Sequence, residues 1–192
     1  IESELKRQVS RLDQPATAGF HQMLTYHLGW TGEGSGPEAS GKRIRPQIVC
    51  LVSLAAGLQS LLDTILPAAA AVELVHNFSL VHDDIEDNSP TRRGRPTLWR
   101  KWGIPMAINA GDALFVLADQ AIMDLAPHHP PQTIVQAATC LHDTCLTLTR
   151  GQYLDMSFEE RTEVRTEEYL EMIAGKTAAL LEACCWIGAL LA

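Results

Sequence analysis

The chain has 192 residues, of which 46% are hydrophobic and 20% charged, so it holds enough apolar material for one folded domain. Fifteen Lys and Arg against 23 Asp and Glu leave a formal charge of −8. That balance argues against nucleic acid or an anionic membrane surface as a partner, because both need a broadly basic protein, though it leaves room for a small basic pocket.

Ala and Leu dominate and no segment alternates for long, so the pattern is helical nearly throughout. Residues from about 2 to 28 read as an amphipathic helix that Pro15 breaks or kinks. The Gly-rich stretch from Gly29 to Ser40 reads as loop. Lys42 to Gly57 reads as the next helix, with Pro46 in its first turns. Pro67 opens a long apolar helix ending at Asn88, Ser89 and Pro90, and a basic loop follows to Pro96. Further helices are expected at 105–126, 131–158 and 164–191, the last interrupted near Gly175. The expected architecture is a single all-α domain over residues 1–192. Cys50, Cys140, Cys145, Cys184 and Cys185 are odd in number and form no Cys-x-x-Cys, which fits small core residues in a reducing, cytoplasmic setting. The charged opening IESELKRQ has no apolar signal segment, and no membrane span is expected: the longest nearly uncharged run, Thr177 to Ala192, is shorter than a bilayer needs.

The sharpest local feature is Asp83-Asp84-Ile85-Glu86-Asp87. Helix periodicity puts Asp83 and Asp87 on one face, a turn apart. They sit at the helix C-terminus, where the macrodipole disfavours negative charge. A solvated acidic helix end is the plain alternative; an external cation would resolve the conflict. Mg²⁺ suits such a place, as a hard ion that binds one or two carboxylates together with phosphates. Basic residues supply the complement. Lys42, Arg43 and Arg45, with Arg92, Arg93, Arg95, Arg100 and Lys101, gather eight of the 15 positive charges into two short segments. Guanidinium forks match diphosphate oxygens bidentately. His76 lies two turns before Asp83 on the same face, placed either as a core residue or as a donor to a second anion. His82 falls on another face and reads as structural. Gln152 and Asp155 share a helix face, and Lys176-Thr177 follow Gly175.

Together these residues resemble the trans-polyprenyl diphosphate synthase family, geranylgeranyl and farnesyl types included. Gly41-Lys42-Arg43-Ile44-Arg45-Pro46 is similar to its G-K-x-x-R-P, Glu73 to Asp87 to its first aspartate-rich motif, and Arg92-Arg93-Gly94 to its R-R-G. Asn109 to Asp112, Gly151-Gln152 with Asp155, and Lys176-Thr177 also match family positions. The resemblance implies an all-α isoprenoid synthase-type bundle around a central cavity, commonly a homodimer. It implies that Asp83, Asp84 and Asp87 hold Mg²⁺, with Asp83 and Asp87 as direct ligands. Arg92, Lys176 and Thr177 would bind the allylic diphosphate (dimethylallyl, geranyl or farnesyl), and Gln152 and Asp155 would line its site. Lys42, Arg45, His76 and Arg93 would bind isopentenyl diphosphate. Asp83, Asp84, Asp87, Arg92 and Lys176 form the implied catalytic set. Phe78 and Ser79, just before the first Asp, would set chain length and favour a C20 product over C15.

The chain departs from the family pattern in one respect. No second Asp-Asp-x-x-Asp occurs, and the sequence matches the N-terminal two-thirds of the family's length. The expectation is therefore an incomplete bundle whose activity alone is impaired. Two rivals remain: a class I terpene cyclase, which leaves the Gly41–Pro46 and Arg92–Gly94 segments unexplained, and a non-catalytic synthase-like subunit.

Overall fold

The computed structural model describes residues 1–58, 62–159 and 161–192. The bundle is built around one helix, α5 (Leu66–Glu86), and the reason is its sequence. PAAAAVELV leaves short side chains on every side, so neighbouring helices approach from all directions. Ala68 to Val72, Leu74 and Val75 are all fully buried. Helix α7 (Ile104–Met123) packs along α5 over the longest stretch, and α4 (Ile44–Ala56) flanks α5 as well. Helix α10 (Ala179–Leu190) lies against α4, where the Ser53 hydroxyl donates to the Gly188 carbonyl at 2.6 Å. Helix α8 (Pro131–Glu159) closes the remaining side against α10. At the N-terminus, α1 (Glu2–Val9) buries Leu5 and Val9 in the same core, and α2 (Ala18–His27) adds Met23 and Leu24. Burial of each large aliphatic side chain contributes roughly 1.5–3 kcal/mol, so the core is held by many such terms and no single one.

The expected helix over 2–28 divides as Pro15 demanded: α1 gives way to 3₁₀ turns at Ser10–Leu12 and Pro15–Thr17 before α2 begins. The Gly-rich segment is mostly loop, yet it holds a one-turn helix, α3 (Pro37–Ser40), begun by a proline at the first helical position. Helix α4 starts two residues later than expected, because Arg43 takes a left-handed conformation (φ 49°, ψ 40°). The basic loop after α5 is a small antiparallel hairpin of β1 (Thr91–Arg92) and β2 (Arg95–Pro96). Its two-residue turn, Arg93-Gly94, has φ of 52° and 74°; positive φ at both positions matches the twist of paired strands. A short α6 (Leu98–Trp102) precedes α7. The last expected helix is α9 (Thr166–Ile173), a π turn at Ala174–Ala178, and α10. The interruption near Gly175 is thus a bulge within a continuing helix.

By length and composition, α7 and the run Thr166–Leu190 could each cross a membrane, which the sequence reading of Thr177–Ala192 missed. Both pack against α5, α4 or α8, with 44% and 33% of the two apolar windows buried.

Candidate functional site

Two cavities lie back to back beside α5, and the side chains of Arg45 and His76 line both. The first, about 740 Å³, is the basic one. Lys42, Arg43 and Arg45 from the start of α4, Arg93 from the hairpin turn and His76 from α5 surround it, with Glu38 and Glu73 as its acidic members. The hairpin turn reaches this cavity because Gly41 (φ 78°) has no side chain. A Cβ there would stand 2.6 Å from the Arg93 guanidinium. Arg93 in turn donates to the Ala39 carbonyl at 2.9 Å, which fixes the hairpin to α3. Neither Lys42 nor Arg45 takes part in an ion pair among the described residues, and the Arg45 Nε is sealed from solvent without a hydrogen-bond partner. Burial, followed by the charges of Arg45, Arg93 and Arg92, pushes the His76 imidazole down to about 3. The cavity is therefore a concentration of positive charge holding a neutral histidine, suited to a multiply charged anion.

The second cavity, about 410 Å³, has an acidic mouth and an apolar depth. Asp83 and Glu86 from α5, Gln152 from α8, and Lys176 and Thr177 from the π turn form the mouth. Phe78, Leu80 and Leu148 give it an apolar wall, and Met156, which is exposed, lies at its edge. Gly151 and Gly175 place Lys176 here. A Cβ on Gly151 would lie 2.1 Å from the Lys176 backbone nitrogen, so the two backbones can meet this closely only with glycine at 151, and a Cβ on Gly175 would crowd the Gly151 Cα at 3.0 Å. The π turn at this contact widens the helix and turns Lys176 toward α5 and α8; such bulges recur at functional sites. Lys176 pairs closely with Asp155 and stands 4.0 Å from Asp83. Gln152 donates to Glu86 at 2.8 Å. Glu86 was not singled out in the sequence; its position between two aspartates, with helix periodicity, was the available signal.

The three aspartates of the motif have different surroundings. Asp84 is buried, and one of its oxygens accepts from Arg92 Nε at 2.9 Å and NH2 at 2.8 Å. That carboxylate is already spent on the hairpin, which separates it from the other two. Asp83 is partly buried at the mouth of the apolar cavity, and Asp87 caps α5 in solvent. Burial raises the Asp83 carboxyl; Lys176 opposes the rise, Asp87 and Glu86 add to it, and the result is about 6. Asp83, Asp87 and Glu86 thus form a carboxylate group short of positive charge, despite Lys176. Hard oxygen donors in that state fit Mg²⁺. Among the described residues no three His, Cys, Asp or Glu side chains could hold a metal by themselves, so waters and substrate oxygens would complete the coordination.

Several cations from the two basic segments do other work. Arg95 is 7% exposed and donates to the carbonyls of Tyr26, Thr31 and Glu33, which pins the Gly-rich loop to the hairpin. Lys101 stacks over Tyr26 and Trp102. Arg43 is buried in an ion pair with Glu73 at 2.9 Å. Ser79 and Phe78 do reach the apolar cavity, but so does His82, which the sequence placed on another face. Its ring packs edge-on against Phe78 at 4.9 Å, and Phe78 packs on Phe115 at 5.2 Å. Phe78 and His82 thus line the cavity from α5, with Phe115 of α7 packed behind Phe78.

Comparison with known proteins agrees with this architecture. A family model described as polyprenyl synthetase matches residues 36–192. The chain is 42% identical over 194 residues to a (2E,6E)-farnesyl diphosphate synthase of Mycobacterium bovis, covering all of this chain and 51% of that protein. It is 46% identical over 154 residues to a geranylgeranyl diphosphate synthase of Methanosarcina mazei, covering 80% of this chain and 46% of the relative. The crystal structure of a polyprenyl synthetase from Streptomyces coelicolor superposes with a TM-score of 0.85 at 38% identity, over 97% of this chain and 53% of that one. A geranylgeranyl pyrophosphate synthetase from Geoglobus acetivorans gives 0.82 at 37%, over 100% and 60%. The chain spans about half the length of the curated relatives it matches. With two cavities, the motifs that line them and this match over most of its length, the chain belongs to the polyprenyl synthetase family.

Proposed function

We propose that the protein carrying this chain joins an allylic diphosphate to isopentenyl diphosphate and releases a longer prenyl diphosphate. The observation that carries the reading is the pair of cavities sharing Arg45 and His76: one is predominantly basic, the other combines carboxylates with apolar side chains. Two diphosphate substrates need two anion sites, and only one of their hydrocarbon tails needs a long apolar channel.

The basic cavity takes isopentenyl diphosphate on Lys42, Arg45 and Arg93, with neutral His76 donating one N–H. The other cavity takes the allylic substrate, its diphosphate at the mouth and its tail toward Phe78. Lys176, Thr177 and Arg92 orient that diphosphate, and Gln152 and Asp155 hold Lys176 and Glu86 in place. Asp83 and Asp87 would hold Mg²⁺, which supplies Lewis-acid charge to the departing diphosphate. Asp84 holds Arg92 and is assigned no metal. The allylic C–O bond breaks with its electron pair leaving on the diphosphate. The π electrons of isopentenyl diphosphate then form the new C–C bond, and a proton passes from that unit to the released diphosphate. Leu80, Leu148, Met156 and Phe78 keep water from the cation meanwhile.

Phe78, backed by Phe115, favours a C20 product over C15. Exposed apolar residues along α7, among them Ile108, Val116 and Met123, favour a homodimer through that helix. Five free cysteines favour a reducing, cytoplasmic setting. No specific observation favours a terpene cyclase or a non-catalytic subunit, since both diphosphate cavities are present. The test is product analysis with the full-length protein, Mg²⁺, labelled isopentenyl diphosphate and farnesyl diphosphate. A C20 product is expected, and longer products with Phe78→Ala. No elongation by the wild type would end the reading; unchanged product length in the variant would remove Phe78 from the floor.

A further inference from the structure

The basic cavity has a support that lies outside the region matched by the family model. Glu2, in the first turn of α1, accepts from Arg43 at two points: Oε2 from Nε at 3.2 Å and Oε1 from NH2 at 3.3 Å. The indole N–H of Trp30 donates to the same carboxylate. The other edge of the guanidinium donates from NH1 to Glu73 at 2.9 Å, and NH2 also donates to the Leu28 carbonyl at 3.2 Å. Asn77 completes the Glu73 oxygen from below at 3.1 Å. One guanidinium thus ties together α1, the end of α2, the start of α4 and the middle of α5.

What it ties is a strained turn. Arg43 is left-handed, a conformation that is unfavourable for a residue with a Cβ and persists only when its surroundings enforce it. Lys42 and Arg45 stand on either side of it, and they are two of the cations facing the basic cavity. If Arg43 relaxed to an ordinary helical or extended backbone, Lys42 would swing away from Arg45. Glu73 alone fixes one nitrogen of the fork; Glu2 fixes the opposite edge and so its rotation.

We propose that Glu2 and Arg43 are positioning residues for the basic cavity, with the N-terminal helix acting through them to set the spacing of Lys42 and Arg45 for the second diphosphate. The inference rests on the function proposed above, and it adds α1 to that site. Its sign separates it from simple electrostatics. Removing a carboxylate beside a cationic pocket should tighten anion binding if charge alone mattered. Loss of positioning weakens it instead.

The experiment is titration calorimetry of isopentenyl diphosphate into the full-length protein in EDTA, so that no metal-assisted site contributes. Wild type, Glu2→Gln, Arg43→Lys and the exposed control Arg100→Gln are compared. Each is checked for an unchanged melting temperature in the absence of ligand. Glu2→Gln should weaken binding about five- to tenfold, and Arg43→Lys, which keeps the charge but loses the fork, at least as much; the control should bind as wild type. Leu5 and Val9 keep α1 packed in the Glu2 variant, and Glu2→Asp should recover part of the loss. Equal or tighter binding by Glu2→Gln would overturn the inference, as would weakening matched by the control. Failure of the wild type to bind isopentenyl diphosphate would overturn the proposed function instead.

Discussion

At the scale of single residues, the site depends on which charges are spoken for. Arg92 is held by Asp84, Lys176 by Asp155 and Arg43 by Glu2 and Glu73, while Lys42 and Arg45 have no such partner among the described residues. Sequence alone made all of them except Lys176 equal members of two basic runs. Type and spacing revealed the motif, but not which carboxylate faces which cation, because that is decided by side-chain direction across helices. Buried histidines give a further consequence. His27, at the end of α2, has an Nε2 with no hydrogen-bond partner, and burial together with Arg93, Arg92 and Arg43 pushes it down to about 3. In the unfolded chain it would titrate near 6.5. Protonation therefore favours unfolding: its contribution is full above pH 6.5 and declines as pH falls toward 3, by about 1.4 kcal/mol per pH unit. Asp83, raised to about 6, has the opposite sign, so the comparison must be between variants. Urea unfolding at pH 7 and pH 5 should show His27→Gln losing less stability on acidification than the wild type. Equal losses would place His27 in a solvated environment.

At the scale of elements, α5 does two things with one sequence. Its first half is small and apolar and forms the centre of the bundle; its second half carries His76, Phe78, Ser79 and Asp83 to the two cavities. Truncation of Leu74, fully buried where the two halves meet, should cost about 2–5 kcal/mol in Leu74→Ala by denaturant unfolding. A cost below about 1 kcal/mol would mean that the bundle closes over the gap, and that α5 is not its rigid centre. The helical character of α5, α7 and α8 was legible in the sequence because long apolar periodicity depends on local pattern alone. The hairpin was not, since Arg93-Gly94 lacks the usual Asn-Gly signature and its strands are two residues each. The π turn was visible only as a break near Gly175, because its cause is contact with Gly151, which lies 24 positions earlier in the chain. Phe115 escaped for the same reason, since it meets Phe78 only after α7 has packed on α5, whereas His82 lies one turn from Phe78 on α5 itself.

At the scale of the whole molecule, the function proposed above would place two like-charged substrates on either side of a shared wall made of one cation, Arg45, and one neutral histidine, His76. Arg45 and His76 line both chambers, so on the proposed function they would stand between the two diphosphates. The chain contributes one acidic cluster to this arrangement, and its relatives are about twice as long.

Independent occupation of the two chambers is the central claim, and calorimetry with paired variants of the full-length protein tests it most directly. Lys42→Ala should weaken isopentenyl diphosphate by tenfold or more, about 1.4 kcal/mol, and leave the allylic diphosphate with Mg²⁺ unchanged. Asp83→Asn should do the reverse. Each variant losing only its own ligand is the expected result; either variant losing both ligands, or Lys42→Ala losing neither, would contradict the two-chamber account.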